Sequence, residues 1–349
     1  MIKIADPEIT SEDIFAVSDI LRKGQLSGRS PVCKQFEDAY SEKFSVAQSI
    51  AVNSGTSALF LIMKAMGIGK GDEVIVPAYA FMAVANAVSH TGATPVFAEV
   101  DNKTFNINPE EVKRKITSTT KAIIAVHTYG LPCDMEALLA LGVPVIEDAA
   151  EAHGAYYFNR PVGSIGIAGA FSFFANKTIT TGEGGMVTTS DEKLANEVRK
   201  LKDQYNGEVR YKHEKIGFGM SLGAMQCALG LSQLKRLDSL VERKKKMAFY
   251  YTSKLKDLVE VPNETLGTIH SFWMYAIKAP KSLYDYLSVN DIEVRPAFYP
   301  MHLQPPYKSR ERFYVTEKIY EDSFCLPMDI KMSRKDQDKV INTIVNFFD

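Results

Sequence analysis

Between residues 48 and 147, short β-branched runs alternate with helical patterns, and this alternation restricts the fold more than any other feature. Residues 49–52 precede a helix starting near Gly55, and residues 73–77 precede one near residue 81. Residues 94–100, 122–126 and 143–147 read as further strands, and 186–189 is strand-like. The pattern predicts an α/β domain with a mainly parallel sheet and helices on both faces. Ligands normally bind such sheets in loops beyond the carboxyl ends of the strands. Upstream, residues 8–23 and 31–44 read as helices, the first stopped by Gly24. Downstream, a long helical pattern over 221–256 leads into a smaller α+β unit, with a strand at 271–277 and helices at 283–289 and 334–348. The expected division is a large domain over residues 1–240 and a small C-terminal domain over 241–349.

The chain's 349 residues suffice for both units. Its 41 basic and 42 acidic residues nearly cancel, which gives no global bias toward nucleic acid or an anionic membrane. The basic run from Arg243 to Lys246 lies between apolar residues at helical spacing and reads as a solvated helix face. Four scattered cysteines without CxxC spacing fit reduced thiols in a cytoplasmic protein. The N-terminus lacks a long apolar segment, and no apolar run reaches membrane-spanning length, so the expected compartment is the cytoplasm.

Lys177 is the first candidate for chemistry. Five hydrophobic or small residues lead into it, and a glycine-rich turn follows. A Lys-Thr pair is ordinarily a surface turn. A lysine held against apolar neighbours instead loses hydration, becomes nucleophilic and can bond the aldehyde of pyridoxal 5'-phosphate (PLP). Upstream, the β-branched run at 145–147 ends in Asp148, with Glu151 and His153 close behind. An aspartate at a strand end can pair with a pyridinium nitrogen. The same residues also read as an acidic turn, or as the Asp148/Glu151/His153 ligands of a metal-dependent hydrolase. Asn53-Ser-Gly-Thr-Ser57, between a strand and a helix, has the form of a phosphate cup. Phe81, in the loop after the next strand, is an aromatic able to stack on a planar cofactor.

These stretches, together with 69–77, 127–134 and 295–302, resemble the DegT/DnrJ/EryC1/StrS sugar aminotransferases over nearly the whole chain. The likeness is strongest to members that aminate C4 of GDP-4-keto-6-deoxymannose. It implies the fold type I of PLP-dependent transferases, aspartate aminotransferase-like, with a mixed, mainly parallel sheet and a small C-terminal α+β domain. By this resemblance Lys177 is the Schiff-base lysine and proton carrier, and Asp148 pairs with the ring nitrogen. Glu151 lies beside the phenolic oxygen, where many relatives have Gln, and one of that pair must hold a proton. Phe81 covers the ring face, while Gly55, Thr56 and Ser172 hold the phosphate. His302 and Arg295 are substrate candidates, and no metal is implied. L-Glutamate is the expected amino donor, converting PLP to pyridoxamine 5'-phosphate, and a homodimer with shared active sites is expected. The product would serve surface polysaccharide synthesis.

One stretch departs from the family. Where relatives read Gly-Tyr/Phe-Asn-Tyr-Arg-Met, this chain has Gly217-Phe-Gly-Met-Ser-Leu222. The family Asn, which reaches the phosphate from the partner subunit, is replaced by Gly219, and the Arg by Ser221, which could bind phosphate in part. Two acceptors therefore stay open: a nucleotide-linked 4-keto-6-deoxy sugar, or a smaller phosphorylated ketone such as dihydroxyacetone phosphate used in a glycan modification. Some relatives with His in place of the lysine are sugar dehydratases, and the presence of Lys177 argues against that chemistry here.

Overall fold

The computed structural model describes every residue except Glu208 and Arg210. Helices α1 (Ser11–Lys23) and α2 (Pro31–Phe44) come first. α1 opens on a capping box between Thr10 and Asp13 and stops at Gly24, whose φ of 65° is left-handed. The alternation then runs β1 (Gln48–Val52), α3 (Gly55–Ala65), β2 (Glu73–Pro77), α4 (Ala83–Thr91), β3 (Thr94–Ala98), α5 (Pro109–Lys115), β4 (Thr120–Val126), α6 (Met135–Leu139) and β5 (Val145–Asp148). A short hairpin, β6 (Tyr156–Tyr157) with β7 (Arg160–Pro161), leads to β8 (Ala168–Ser172), β9 (Gly185–Thr189) and α7 (Glu192–Lys202).

Seven of these strands form one sheet in the order β1-β9-β8-β5-β4-β2-β3. β9 is antiparallel to both its neighbours, and the remaining pairs are parallel. The sheet is thus mixed and mainly parallel, as the alternation implies. Its central strands are apolar along their length because helices cover both faces, and Val74, Ile75, Val76 and Ile123 are all fully buried.

The pattern over 221–256 divides into two helices, α8 (Ala224–Leu234) and α9 (Leu237–Leu255), where a single long one was expected. At the break Arg236 donates to Glu8 at 2.8 Å and to the buried Asp13 at 2.6 Å, while Gln233 reaches Asp13 at 2.9 Å. These contacts tie the junction to the start of α1. The first turns of α9 (Leu237, Leu240, Val241) pack with α2 and α8, whereas Ala248, Tyr251 and Leu255 join a separate C-terminal core. Residue 240 therefore falls inside a continuous helix that serves two cores.

The C-terminal part contains β10 (Thr268–Ile269), β11 (Tyr275–Lys278), α10 (Lys281–Val289), β12 (Arg295–Pro296), α11 (Tyr314–Asp322), β13 (Ser323–Leu326) and α12 (Arg334–Phe348). β11, β13 and β12 make a small antiparallel sheet, while β10 extends the β6–β7 hairpin. The strand expected at 271–277 begins only at Tyr275. Phe272 takes a left-handed φ of 50°, and its ring stacks on His270 at 3.9 Å, so 270–274 forms a loop. Ser271 of this loop donates its N–H to the Gly130 carbonyl at 3.0 Å, docking it on the turn after β4. No helix among the described residues is long and apolar enough to cross a membrane.

Candidate active site

A cleft of about 620 Å³ lies at the carboxyl ends of the sheet strands, roofed by residues 295–299 and Trp273. Gly55, Thr56, Phe81, Asp148, Glu151, Ser172, Lys177 and Arg295 all line it. His302 and Ser221 do not.

β5 explains how two adjacent acids take different roles. Successive side chains of a strand point to opposite faces. Asp148 therefore lines the cleft while Glu147 is buried beneath it. The Glu147 carboxylate accepts backbone N–H groups from Gly163 (2.8 Å), Ile165 (2.6 Å) and Gly166 (2.7 Å). A fourth donor is His127 Nε2 at 3.0 Å. Because the Cys133 N–H donates to His127 Nδ1 at 3.0 Å, the imidazole proton belongs on Nε2. Glu147 is therefore a clamp on the loop before β8. Asp148 Oδ1 accepts the Ala150 N–H at 3.1 Å. Burial raises the pKa of Asp148, opposed by the Ala150 N–H and by the charge of Lys177.

Glu151 lies in the turn after β5 and accepts the Tyr129 N–H at 2.8 Å. Tyr129 presents that N–H from a left-handed backbone with φ 57°, which is uncommon for a residue with a side chain. Burial pushes the Glu151 carboxyl up to about 7, while Lys177 and the Tyr129 N–H pull it down. His153 does not join these acids. It packs among Tyr40, Phe171 and Phe173 with Nε2 unpartnered, and burial lowers its pKa to about 3. No group of three or more His, Cys, Asp or Glu among the described residues is placed to hold a metal ion. The Asp148/Glu151/His153 ligand grouping is thus not assembled.

Lys177 follows β8 on a tight turn, in which its own N–H donates to the Phe174 carbonyl at 2.9 Å and the Thr181 N–H to Phe173 at 3.0 Å. Its immediate neighbours are not the apolar wall that the sequence suggested, since Phe174 is exposed. The wall comes from Trp273, whose ring centroid is 3.8 Å from Lys177 Nζ. Burial lowers the Lys177 pKa, Glu151 and Asp148 oppose this, and Arg295 adds to it.

The opposite end of the cleft is built from α3. Ser54 caps the helix by accepting the Ser57 N–H at 3.0 Å. Gly55 and Thr56 form its first turn, where N–H groups have no intrahelical partner and the dipole is positive. A Cβ on Gly55 would stand 2.9 Å from Ser172 Cβ, and one on Gly185 would stand 2.4 Å from the Ser54 carbonyl oxygen. Glycines at these positions let the helix start sit directly against β8 and β9. Open N–H groups and the Thr56 and Ser172 hydroxyls give a cradle suited to a phosphate. Phe81 is largely exposed, with its ring 6.3 Å from that of Phe298.

His302 is fully buried, with Nε2 3.1 Å from Glu317 and its ring against Phe313. Its 3-10 turn points it away from the cleft, and Gln304 from the same segment lines the cleft instead. Ser221 bridges to Val52 beside Gly28. Trp273, Asn176, Tyr299 and Gln304 line the cleft without having been singled out from the sequence. The one available signal was that Trp273 is the chain's only tryptophan.

The model of the DegT/DnrJ/EryC1/StrS aminotransferase family matches residues 7–345. The chain belongs to this family. It is 38% identical to the GDP-perosamine synthase of Escherichia coli O157:H7, covering 92% of this chain and 90% of that one. Identity to the Vibrio cholerae GDP-perosamine synthase is 36%, over 100% of this chain and 99% of the relative. A solved DegT DnrJ EryC1 StrS aminotransferase from Brucella abortus superposes with a TM-score of 0.93 at 32% identity, covering 96% and 95% of the two chains. The protein is accordingly a sugar aminotransferase of a PLP-dependent family.

Proposed function

We propose that this aminotransferase moves an amino group from L-glutamate to a nucleotide-linked 4-keto-6-deoxy sugar, with PLP in the cleft and Lys177 as the reacting amine. The observation that carries this reading is the meeting of Lys177, Asp148 and the α3 cradle in one cleft. These groups fit the cofactor: an amine for its aldehyde, an acid for its ring nitrogen and open N–H groups for its phosphate. When bound, PLP supplies an electron sink for the carbanion that amino transfer requires. Gly55, Thr56 and Ser172 would anchor the phosphate, and Asp148 would favour a proton on the ring nitrogen. Phe81, which lines the cleft, would pack against the ring. Glu151, whose carboxyl burial pushes up to about 7, would in its protonated form donate toward the phenolic oxygen and avoid the repulsion of two anions. Lys177 Nζ would carry the proton between the substrate carbon and the C4′ side of the cofactor in each half-reaction. Arg295, which lines the cleft, offers a guanidinium to the donor carboxylate.

A second acceptor class, a smaller phosphorylated ketone, rests on Gly219 and Ser221. A Cβ at 219 would lie 3.1 Å from Gln204 Nε2, so a neutral amide stands beside the place of the family's polar side chain. We further propose a cytoplasmic homodimer with shared sites, tested by sedimentation of the active species.

The protein with PLP should be yellow, lose that colour with L-glutamate, and regain it with its true keto acceptor. A panel of keto-sugar nucleotides and small keto phosphates then separates the two acceptor classes. Lys177→Ala should abolish both turnover and the glutamate-sensitive absorbance, and normal transamination by this variant would sink the proposal.

A further inference from the structure

Trp273 is buried in the loop ahead of β11, yet its ring forms part of the cleft wall. Its ring centroid lies 3.8 Å from Lys177 Nζ. The indole N–H donates to the Asn176 carbonyl at 2.8 Å, which is the peptide that leads into Lys177. Behind it, the Trp273 carbonyl accepts from Lys244 Nζ at 3.2 Å, and the same ammonium donates to the Met328 carbonyl at 3.0 Å. Lys244 is itself buried, so a cation that the chemistry does not use is committed to fixing this stretch of backbone. On the other side the Tyr129 ring lies 6.3 Å from the indole. The indole is held from several directions and touches Lys177 with its face.

Two effects compete at that amine. Burial favours the neutral form, whereas an aromatic face attracts an ammonium. Tryptophan is the strongest of the aromatic faces for this purpose. We propose that Trp273 is a positioning residue for Lys177, its indole face holding the ammonium group in the cleft and its N–H fixing the turn that carries the lysine. The inference rests on Lys177 being the reacting amine of the proposed function. It gives the lysine a defined resting place, with its proton retained, whenever the amine is not bonded to cofactor. Asp148 and Glu151 also face Lys177 and favour the cation, Arg295 disfavours it, and Lys244 acts only behind the indole. All four are unchanged in the variants below, so a shift from Trp273 reports loss of the indole, and the order of Tyr, Phe and Leu, which all lack its N–H, reports the ring face.

The test uses the full-length protein without cofactor. Acetylation of Lys177 by acetic anhydride is followed against pH by mass of the peptide that contains it, in the unaltered chain and in Trp273→Tyr, Trp273→Phe and Trp273→Leu. Trp273→Leu should shift the Lys177 profile to lower pH, raising the neutral fraction at a fixed pH about tenfold. Tyr and Phe should fall between, in that order. Coincident profiles, or a shift to higher pH in Trp273→Leu, overturn the proposal. If the leucine variant does not fold, the order Trp, Tyr, Phe alone decides. PLP absorbance of the unaltered protein is a separate arm: its absence would overturn the aminotransferase assignment of Lys177 without touching the labelling result.

Discussion

Glu151 holds its proton to about 7 because burial outweighs the help it receives from Lys177 and the Tyr129 N–H. In the unfolded chain the same carboxyl ionises near its ordinary value of 4.5. Between those values the folded state binds the extra proton, so stability falls as pH rises from about 4.5 to about 7 and stays reduced above. Glu151→Gln removes that cost and keeps a carbonyl for the Tyr129 N–H. Urea unfolding of the cofactor-free variant should show a gain of about 3 kcal/mol at pH 8 and none near pH 4. Equal stabilities at both pH values would show that burial does not set this carboxyl. At this scale the sequence was informative where neighbours in the chain are neighbours in space: Gly55, Asp148 and Lys177 lie on strand ends and turns that local pattern reveals. It was silent on Trp273, which meets Lys177 only through the docking of a distant loop. His302 matched a motif, yet its 3-10 turn and its Glu317 contact take it into the core.

Among the elements, β5 and the loop before β8 form the most tightly specified unit. One carboxylate, Glu147, satisfies three backbone N–H groups and one imidazole with no exposure to water. Glu147→Gln puts an NH₂ where only acceptors are satisfied and removes the charge that strengthens every bond. A loss of about 3–5 kcal/mol in stability is expected, with faster amide exchange at Gly163, Ile165 and Gly166. An unchanged melting profile would show that the clamp contributes little. The strand itself was legible from its β-branched run, but the role of its acids was not, because only the pleat decides which acid faces the cleft. The division of the helix expected over 221–256 was hidden for a similar reason. Its apolar spacing continues through residue 236, and the break coincides with ion pairs to Glu8 and Asp13 at the far end of the sequence.

Across the whole molecule, two buried imidazoles shape the response to acid. Burial lowers both His153 and His270 from 6.5 to about 3. Each is neutral when folded and protonated when unfolded in that range, so each contributes stability above 6.5 that is lost as pH falls. Each adds about 1.4 kcal/mol per pH unit to the slope of the acid limb, while Glu151 acts with the opposite sign between about 4.5 and about 7. His153→Leu should flatten the limb by about that one contribution, whatever its offset at neutral pH. Unfolding free energies between pH 6 and 4 measure the slope, and an unaltered slope would contradict neutral burial of this histidine.

The placement of β9 sets a timetable for the chain as it is made. β1 pairs with β9, and Gly185 of β9 abuts Ser54 at the start of α3. Neither contact can form while residues 185–189 are still inside the ribosome. An emerging chain therefore carries its phosphate-binding turn exposed and unbraced until β9 has followed it out, and competence for the cofactor comes only once the last sheet strand has been inserted between β1 and β8.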